Sequence, residues 1–279
     1  MRETDKAETH EGLHSPAHHR VGSDLPFLLC FGILGGSYVL IIVLMVVADL
    51  AHTSSSAILD ALQSREIRFS IRLSLITCSV STVLSVMTAV PIGYLMSRYE
   101  FRYKNMIDTV LDIPIVLPPL VIGISLLILF NYRPFSWLSK WVVFEWPAII
   151  LAQYMVACAF AVRTMRVTFD QIPERYEQVA MTLGCNRSQA FWRVILPQAK
   201  GGILAAATLA WARALGEFGP ILVFAGATRL RTEVLPTSVY LEMQYGNLDG
   251  MLAISLIMIG AAAAVLITAR LFGMQRIHS

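Results

Sequence analysis

The chain has 279 residues, 56% of them hydrophobic, against about 45–50% in an ordinary soluble domain. The excess is gathered into long runs, which excludes a soluble globular domain and points to membrane-spanning helices, whose backbone groups are all paired internally. The formal net charge of +3 is scattered over short polar segments, which leaves no basic face for nucleic acid.

Residues 1–24 are polar and without apolar periodicity, which predicts a disordered cytoplasmic tail. His10, His14, His18 and His19 fall in this tail. No Cys or carboxylate cage accompanies them, so they read as a His-rich tail before they read as a metal site. The first apolar run, 25–50, is longer than a signal-peptide core of roughly 7–15 residues and lacks a clear cleavage site, which predicts an uncleaved transmembrane helix. Five more runs follow, at 73–97, 113–130, 147–162, 201–225 and 250–272. A span needs about 20 residues at about 1.5 Å each, so six transmembrane helices and an all-α integral membrane fold are predicted.

The second run carries Ser74, Thr77, Ser81, Ser85 and Thr88 at spacings of three and four, on one helical face. Two readings stay open for this face: close helix packing through small residues, or a wetted wall of a pathway. The third run opens I-P-I-V-L-P-P-L-V-I-G, with Pro114, Pro118 and Pro119. Such a proline set interrupts the helix, which is tolerated in a membrane where the break is buried in protein or lines a cavity. Ser81, Ser85, Pro118 and Pro119 are therefore candidate path residues. Trp137, Trp141 and Trp146 follow, as an interfacial belt or as a docking surface for an external partner.

Segment 170–200 is polar and of mixed charge, set between two apolar runs. It contains Y-E-Q-V-A-M-T-L-G-C-N-R-S-Q-A-F-W-R-V-I-L-P-Q from Tyr176. Ala180 and Gly184 are four apart, which would put both small residues on one helical face for a partner to approach. Gly184 suits a helix C-cap, and Pro197 is expected to stop a second short helix, making a stiff elbow. In the fifth run Arg213 and Glu217 are four apart and deep in the bilayer, where an isolated charge is costly. Gly216, Gly219 and Pro220 surround the glutamate. The pair reads either as a structural ion pair or as a gate or path element.

Charge placement orients the chain. With an even number of spans and the N-terminus inside, the inner segments carry fourteen Lys and Arg, against seven in the outer segments. That bias favours both termini in the cytoplasm, with segment 170–200 on the same side. Cys30, Cys78, Cys158 and Cys185 form no CxxC pair and are expected to be free thiols.

Glu177, Ala180, Gly184, Ile195, Leu196 and Pro197 resemble the cytoplasmic EAA loop of bacterial ABC-importer permeases. One departure is that E-Q-V-A stands where the family has E-A-A; Gln178-Val179-Ala180 offers a second alignment of the triplet. The A-L-G-E-F-G core within 212–226, with L-P-T-S-V-Y at 235–240 and G-N-L-D-G at 246–250, resembles the molybdate, tungstate and sulfate permeases of that family. The resemblance covers roughly residues 57–272. It implies a type I importer permease fold, with a five-helix core at 57–272 after one extra helix at 25–50 and a cytoplasmic C-terminus at 273–279.

The resemblance also implies a prokaryotic plasma-membrane location and named partners: separate ABC ATPase subunits, an external solute-binding protein and a second permease copy. It places ATPase coupling on Glu174, Glu177, Ala180, Leu183, Gly184, Arg187, Phe191 and Pro197. The path or gate is expected at Pro118, Pro119, Ser81, Ser85, Arg213, Gly216, Glu217 and Gly219. No catalytic residue, cofactor or metal is expected. The chain has no G-x-x-x-x-G-K-[ST] loop, so ATP must be hydrolysed by a partner. A tetrahedral oxyanion is the expected substrate; a permease for phosphate, ferric iron or thiamine is the alternative. A membrane enzyme or assembly scaffold is the rival class, against which stands the lack of HExxH, GxSxG or clustered His and Cys.

Overall fold

The computed structural model describes residues 25–274; the tail at 1–24, with its four histidines, and residues 275–279 lie outside the described residues. Among the described residues every regular element is a helix. The chain divides into two compact units, residues 1–48 and 49–279. The described residues of the first all belong to helix α1, Leu25–His52, an apolar helix of 28 residues.

The second unit begins with α2, Ser55–Gln63, and α3, Arg65–Arg98. Ser64 closes one and opens the other: its hydroxyl accepts from the Ile67 N–H at 3.1 Å, an N-cap. The 34 residues of α3 reach about 51 Å at 1.5 Å each, enough to cross a bilayer and project beyond it. Next come α4, Lys104–Val116, and α5, Pro119–Asn131, which meet at 111°. The run 113–130, expected as one span, is thus the last turn of one helix and most of another. Leu117, before Pro118, is extended at ψ 139, because a proline disfavours helical backbone in the residue ahead of it.

Short α6, Ser136–Val142, leads to α7, Trp146–Asp170. The loop region folds as α8, Arg175–Thr182; α9, Arg187–Ala190; a π-helical turn, Phe191–Ile195; and α10, Leu196–Gln198. The remaining helices are α11, Lys200–Leu215; α12, Gly219–Phe224; α13, Leu235–Gln244; and α14, Leu248–Met274. The run 201–225 is also not one helix, since α11 ends at Gly216. Among the described residues four helices are long and apolar enough to cross a membrane, and up to six spans result if each of two bent helix pairs is counted as one.

Within this unit α3 and α7 pack along their lengths, and α11 packs on both. Small residues make the approach possible. Ser70, Ser74, Thr77, Ser81, Ser85, Ala89 and Gly93 form the buried stripe of α3, and a Cβ on Gly93 would lie 2.8 Å from that of Met165. In lipid such close contact replaces the hydrophobic drive that water supplies. A second apolar cluster joins Ile122 and Phe130 of α5, Ile149 and Val156 of α7, and Ile221 and Phe224 of α12. All four cysteines are free thiols.

Candidate functional site

The polar loop is an elbow with both corners built by local hydrogen bonds. Helix α8 ends in a Schellman motif: the Cys185 N–H donates to Ala180 O at 3.1 Å and the Gly184 N–H to Met181 O at 3.0 Å. Gly184 takes φ +91, a conformation that costs a residue with a Cβ. Asn186 then starts α9 with a reciprocal capping box to Gln189. Pro197 does not stop the second helix. It lacks an N–H and crowds the carbonyl four residues back, and the turn ahead of it widens so that the Leu196 N–H donates to Phe191 O. The bend of 69° falls afterwards, at Ala199, before α11.

Helix α8 has two unlike faces. Glu177 and Ala180 turn inward and are 7% and 6% exposed. Tyr176, Val179 and Leu183 turn outward, Leu183 being 80% exposed. Ala180 and Gly184 do not share an outward face, because the helix ends between them and Ala180 packs into its own chain. A Cβ on Gly184 would meet nothing within 4 Å. Glu174 and Arg187 are exposed, Phe191 is half-buried against Tyr94 at 4.7 Å between ring centroids, and Pro197 is exposed.

The two broken helices meet. A Cβ on Gly219 would lie 3.1 Å from Leu120 N and 3.5 Å from the Pro119 carbonyl carbon. Pro118, Pro119, Gly216, Glu217 and Gly219 are thereby gathered where α5 begins and α11 ends. Arg213 lies one turn earlier, its Nη1 2.8 Å from Glu217 Oε2. The angle there misses that of a hydrogen bond, so the buried oxygen holds an ion pair without a directed donor. The Glu217 side chain is 1% exposed and that of Arg213 is 29% exposed, with its guanidinium over the Phe160 ring.

Ser81 and Ser85 do not join this group. Ser81 Oγ donates to Ile150 O at 3.0 Å and lies 3.1 Å from Gln153 Oε1, inside the α3–α7 contact. Ser85 is buried without a hydrogen-bond partner among the described residues. Of the two readings of the small polar stripe, packing is the one these contacts fit.

Three groups escaped the sequence reading. Gln153, 1% exposed, donates from Nε2 to Ala214 O at 3.3 Å, at the end of α11, and also meets Ser81; it joins α3, α7 and α11. A lone amide inside an apolar run was its signal. Asp108 and Asp112 of α4 pair with Arg166 and Arg163 of α7 around a cavity of about 360 Å³. Their spacings of four and three were the signal there. Tyr94 and Arg98, at the end of α3, face Glu177; nothing local to either residue announces that partner.

On the opposite side, Trp137 and Trp141 are exposed on one face of α6. The loop before α13 buries Glu233, which accepts from Ser238 Oγ at 2.9 Å through Oε1, while Oε2 has no hydrogen-bond partner among the described residues. Burial raises its carboxyl above the usual range, and the Ser238 hydrogen bond and Arg229 pull it back in part.

Residues 89–278 match the family described as the binding-protein-dependent transport system inner membrane component. The molybdate/tungstate transport system permease protein WtpB of Pyrococcus furiosus is 36% identical over 204 residues, 72% of this chain and 76% of that protein. The molybdenum transport system permease protein ModB of Mycobacterium tuberculosis is 35% identical over 70% and 75% of the two chains. The sulfate transport system permease protein CysT of Escherichia coli is 27% identical over 79% and 81%. In fold, the chain is similar to a chain of a bacterial alginate ABC transporter in complex with an alginate pentasaccharide-bound periplasmic protein. That match has a TM-score of 0.70 at 14% identity, over 88% of this chain and 94% of the other. A chain of the inward-facing MetNI methionine ABC transporter matches with a TM-score of 0.60 at 18% identity, over 75% and 95%. The matched profile, the length of the aligned relatives and the shared helical architecture agree: this chain belongs to the inner-membrane permease family of binding-protein-dependent ABC importers.

Proposed function

We propose that this permease subunit carries a tetrahedral oxyanion of the molybdate, tungstate or sulfate class, as one of two permease copies set on a pair of ATPase subunits. The observation that carries the coupling role is the outward face of α8, where Tyr176, Val179 and Leu183 are exposed beside an unobstructed Gly184. An exposed apolar surface on a polar loop suits a protein partner. The substrate class is supported by the relatives, whose names specify molybdate, tungstate, molybdenum and sulfate transport.

The twofold excess of Lys and Arg supports a chain with both ends inside and the α8 surface in the cytoplasm. ATP binding closes the ATPase pair and moves the elbows together. The spans rock, and the joint between Pro119 and Gly219 is where two discontinuous helices can change their angle. An external binding protein delivers the ion to the outward-open state, and hydrolysis resets the path inward.

Reconstitution in liposomes with the cognate ATPase and binding protein tests this reading. ATP-dependent uptake of labelled molybdate, tungstate or sulfate, competed by the other oxyanions, is expected. Uptake of phosphate, ferric iron or thiamine, with none of those three oxyanions, would reassign the substrate.

A further inference from the structure

Glu177 belongs to the exposed polar loop, yet its carboxylate points into its own chain. It accepts a hydrogen bond from the Tyr94 hydroxyl at 2.9 Å. Arg98 Nε lies 3.9 Å from Oε2 and Arg187 Nε 3.9 Å from Oε1, ion-pair contacts on two further sides. Both arginines are anchored elsewhere. Arg98 Nη2 donates to Ile172 O at 2.6 Å, and Arg187 Nη1 donates to the Tyr99 hydroxyl at 3.0 Å. The Tyr94 ring is wedged between Phe169 and Phe191, with centroids at 5.6 and 4.7 Å. The hydroxyl that holds Glu177 is thus fixed by packing.

We infer that Glu177 acts through its own chain: it is a positioning residue that ties α8 to the end of α3, and it does not touch the ATPase. The residue is 7% exposed and its carboxylate is already surrounded by a phenol and two guanidinium groups. A partner's cation would have to displace them and recover the desolvation already met. Helix α8 packs mainly on α9 and the π turn, so Tyr94–Glu177 is the hydrogen bond that joins it to a membrane-crossing helix. A push on Leu183 or Val179 passes through that link to Tyr94, which lies four residues before the last residue of α3. Without it, α8 can tilt and leave the spans unmoved.

The inference rests on the docking role proposed for α8, and the two are separable. Tyr94→Phe removes one hydroxyl and keeps the ring packing, and Glu177→Gln keeps the shape of the side chain. Each is assembled with the ATPase and reconstituted with the binding protein. Both variants are expected to co-purify with the ATPase at the normal ratio. Transport per ATP hydrolysed should fall about tenfold or more, the scale of a lost hydrogen bond to a charged group. The double variant should lose less than the sum of the two single ones, because one removes the charge and the other the hydroxyl of the same link. Normal transport by Tyr94→Phe overturns the inference, as does loss of the ATPase from purified Glu177→Gln. Leu183→Asp tests the docking role alone: it should release the ATPase, and retention would overturn that reading instead.

Discussion

Gly123 and Pro220 meet backbone to backbone: a Cβ on Gly123 would lie 2.8 Å from Pro220 Cα and 3.0 Å from its carbonyl oxygen. The contact locks the start of α5 to the start of α12, beside the joint of the two broken helices. Backbone cannot turn aside as a side chain can, so Gly123→Val must push α12 away. A loss of about 1–3 kcal/mol is expected for such overpacking, read as a lower thermal midpoint in detergent together with reduced transport. Gly260→Ala in α14, whose Cβ meets open space, is the control and should be neutral. Equal behaviour of the two variants would count against the joint.

Arg213 and Glu217 hold opposite charges 2.8 Å apart in a buried setting. Removing one leaves the other uncompensated, a loss of about 3–5 kcal/mol for buried pairs in general. Glu217→Ala should therefore harm expression and transport strongly, and Glu217→Gln less. The double change Arg213→Met with Glu217→Gln should fold better than Glu217→Ala. If it also transports, the pair serves packing; if it folds without transporting, the pair serves the path. Normal expression and transport by Glu217→Ala would deny it either role.

Gly184 separates backbone strain from partner contact. Gly184→Ala places a Cβ at positive φ and should cost about 1–2 kcal/mol in the chain itself. Gly184→Trp adds a large ring beyond a Cβ that meets nothing within 4 Å among the described residues. Any further loss must come from a partner, so the indole should abolish ATPase co-purification while membrane insertion and the folded state match Gly184→Ala. An assembled, fully coupled Gly184→Trp transporter would remove the loop from the docking surface.

Orientation is testable by single cysteines in a background lacking Cys30, Cys78, Cys158 and Cys185. Ser56 and Ser188 are both exposed. An impermeant thiol reagent added to sealed cells should label Ser56→Cys and spare Ser188→Cys; inverted vesicles should reverse the pattern. Labelling of Ser188→Cys from outside would overturn both the orientation and the cytoplasmic placement of α8.

Glu233 predicts a pH dependence of stability. Its folded-state carboxyl lies above the usual range, chiefly from burial, with Arg229, Glu242 and Glu66 as the charged groups acting on it. The folded state therefore binds this proton more tightly than the unfolded state does. Its cost is fully present above the folded-state value and is relieved as the pH falls through that value toward the unfolded one. Glu233→Gln should raise the thermal midpoint at neutral pH and flatten the gain seen on mild acidification. An unchanged profile would show that the proton is not exchanged there.

Much of the architecture is legible in the residue order. Six apolar runs, the proline cluster at 114–119 and the polar segment at 170–200 each carry a local signal. Run length against bilayer thickness predicts spans, proline chemistry predicts a break, and glycine at 184 predicts the corner that φ +91 makes. The Arg213–Glu217 pair is legible for the same reason, since four residues is one helical turn.

What lay beyond it is direction and partnership. In water, the polar face of a helix marks the outside; in lipid, the core and the surroundings are both apolar, and that mark is lost. Small polar residues on α3 therefore leave both path and packing open until Ser81 is seen against Ile150 and Gln153. The inward turn of Glu177 is set by Tyr94, 83 residues earlier, and the bond from Gln153 to Ala214 spans 61 residues. Such contacts depend on how separate helices pack, which no local window of sequence contains. The chain alone determined that it crosses a membrane and carries an elbow between spans. Only the tertiary structure decided which side of that elbow grips its own helices and which side is left open.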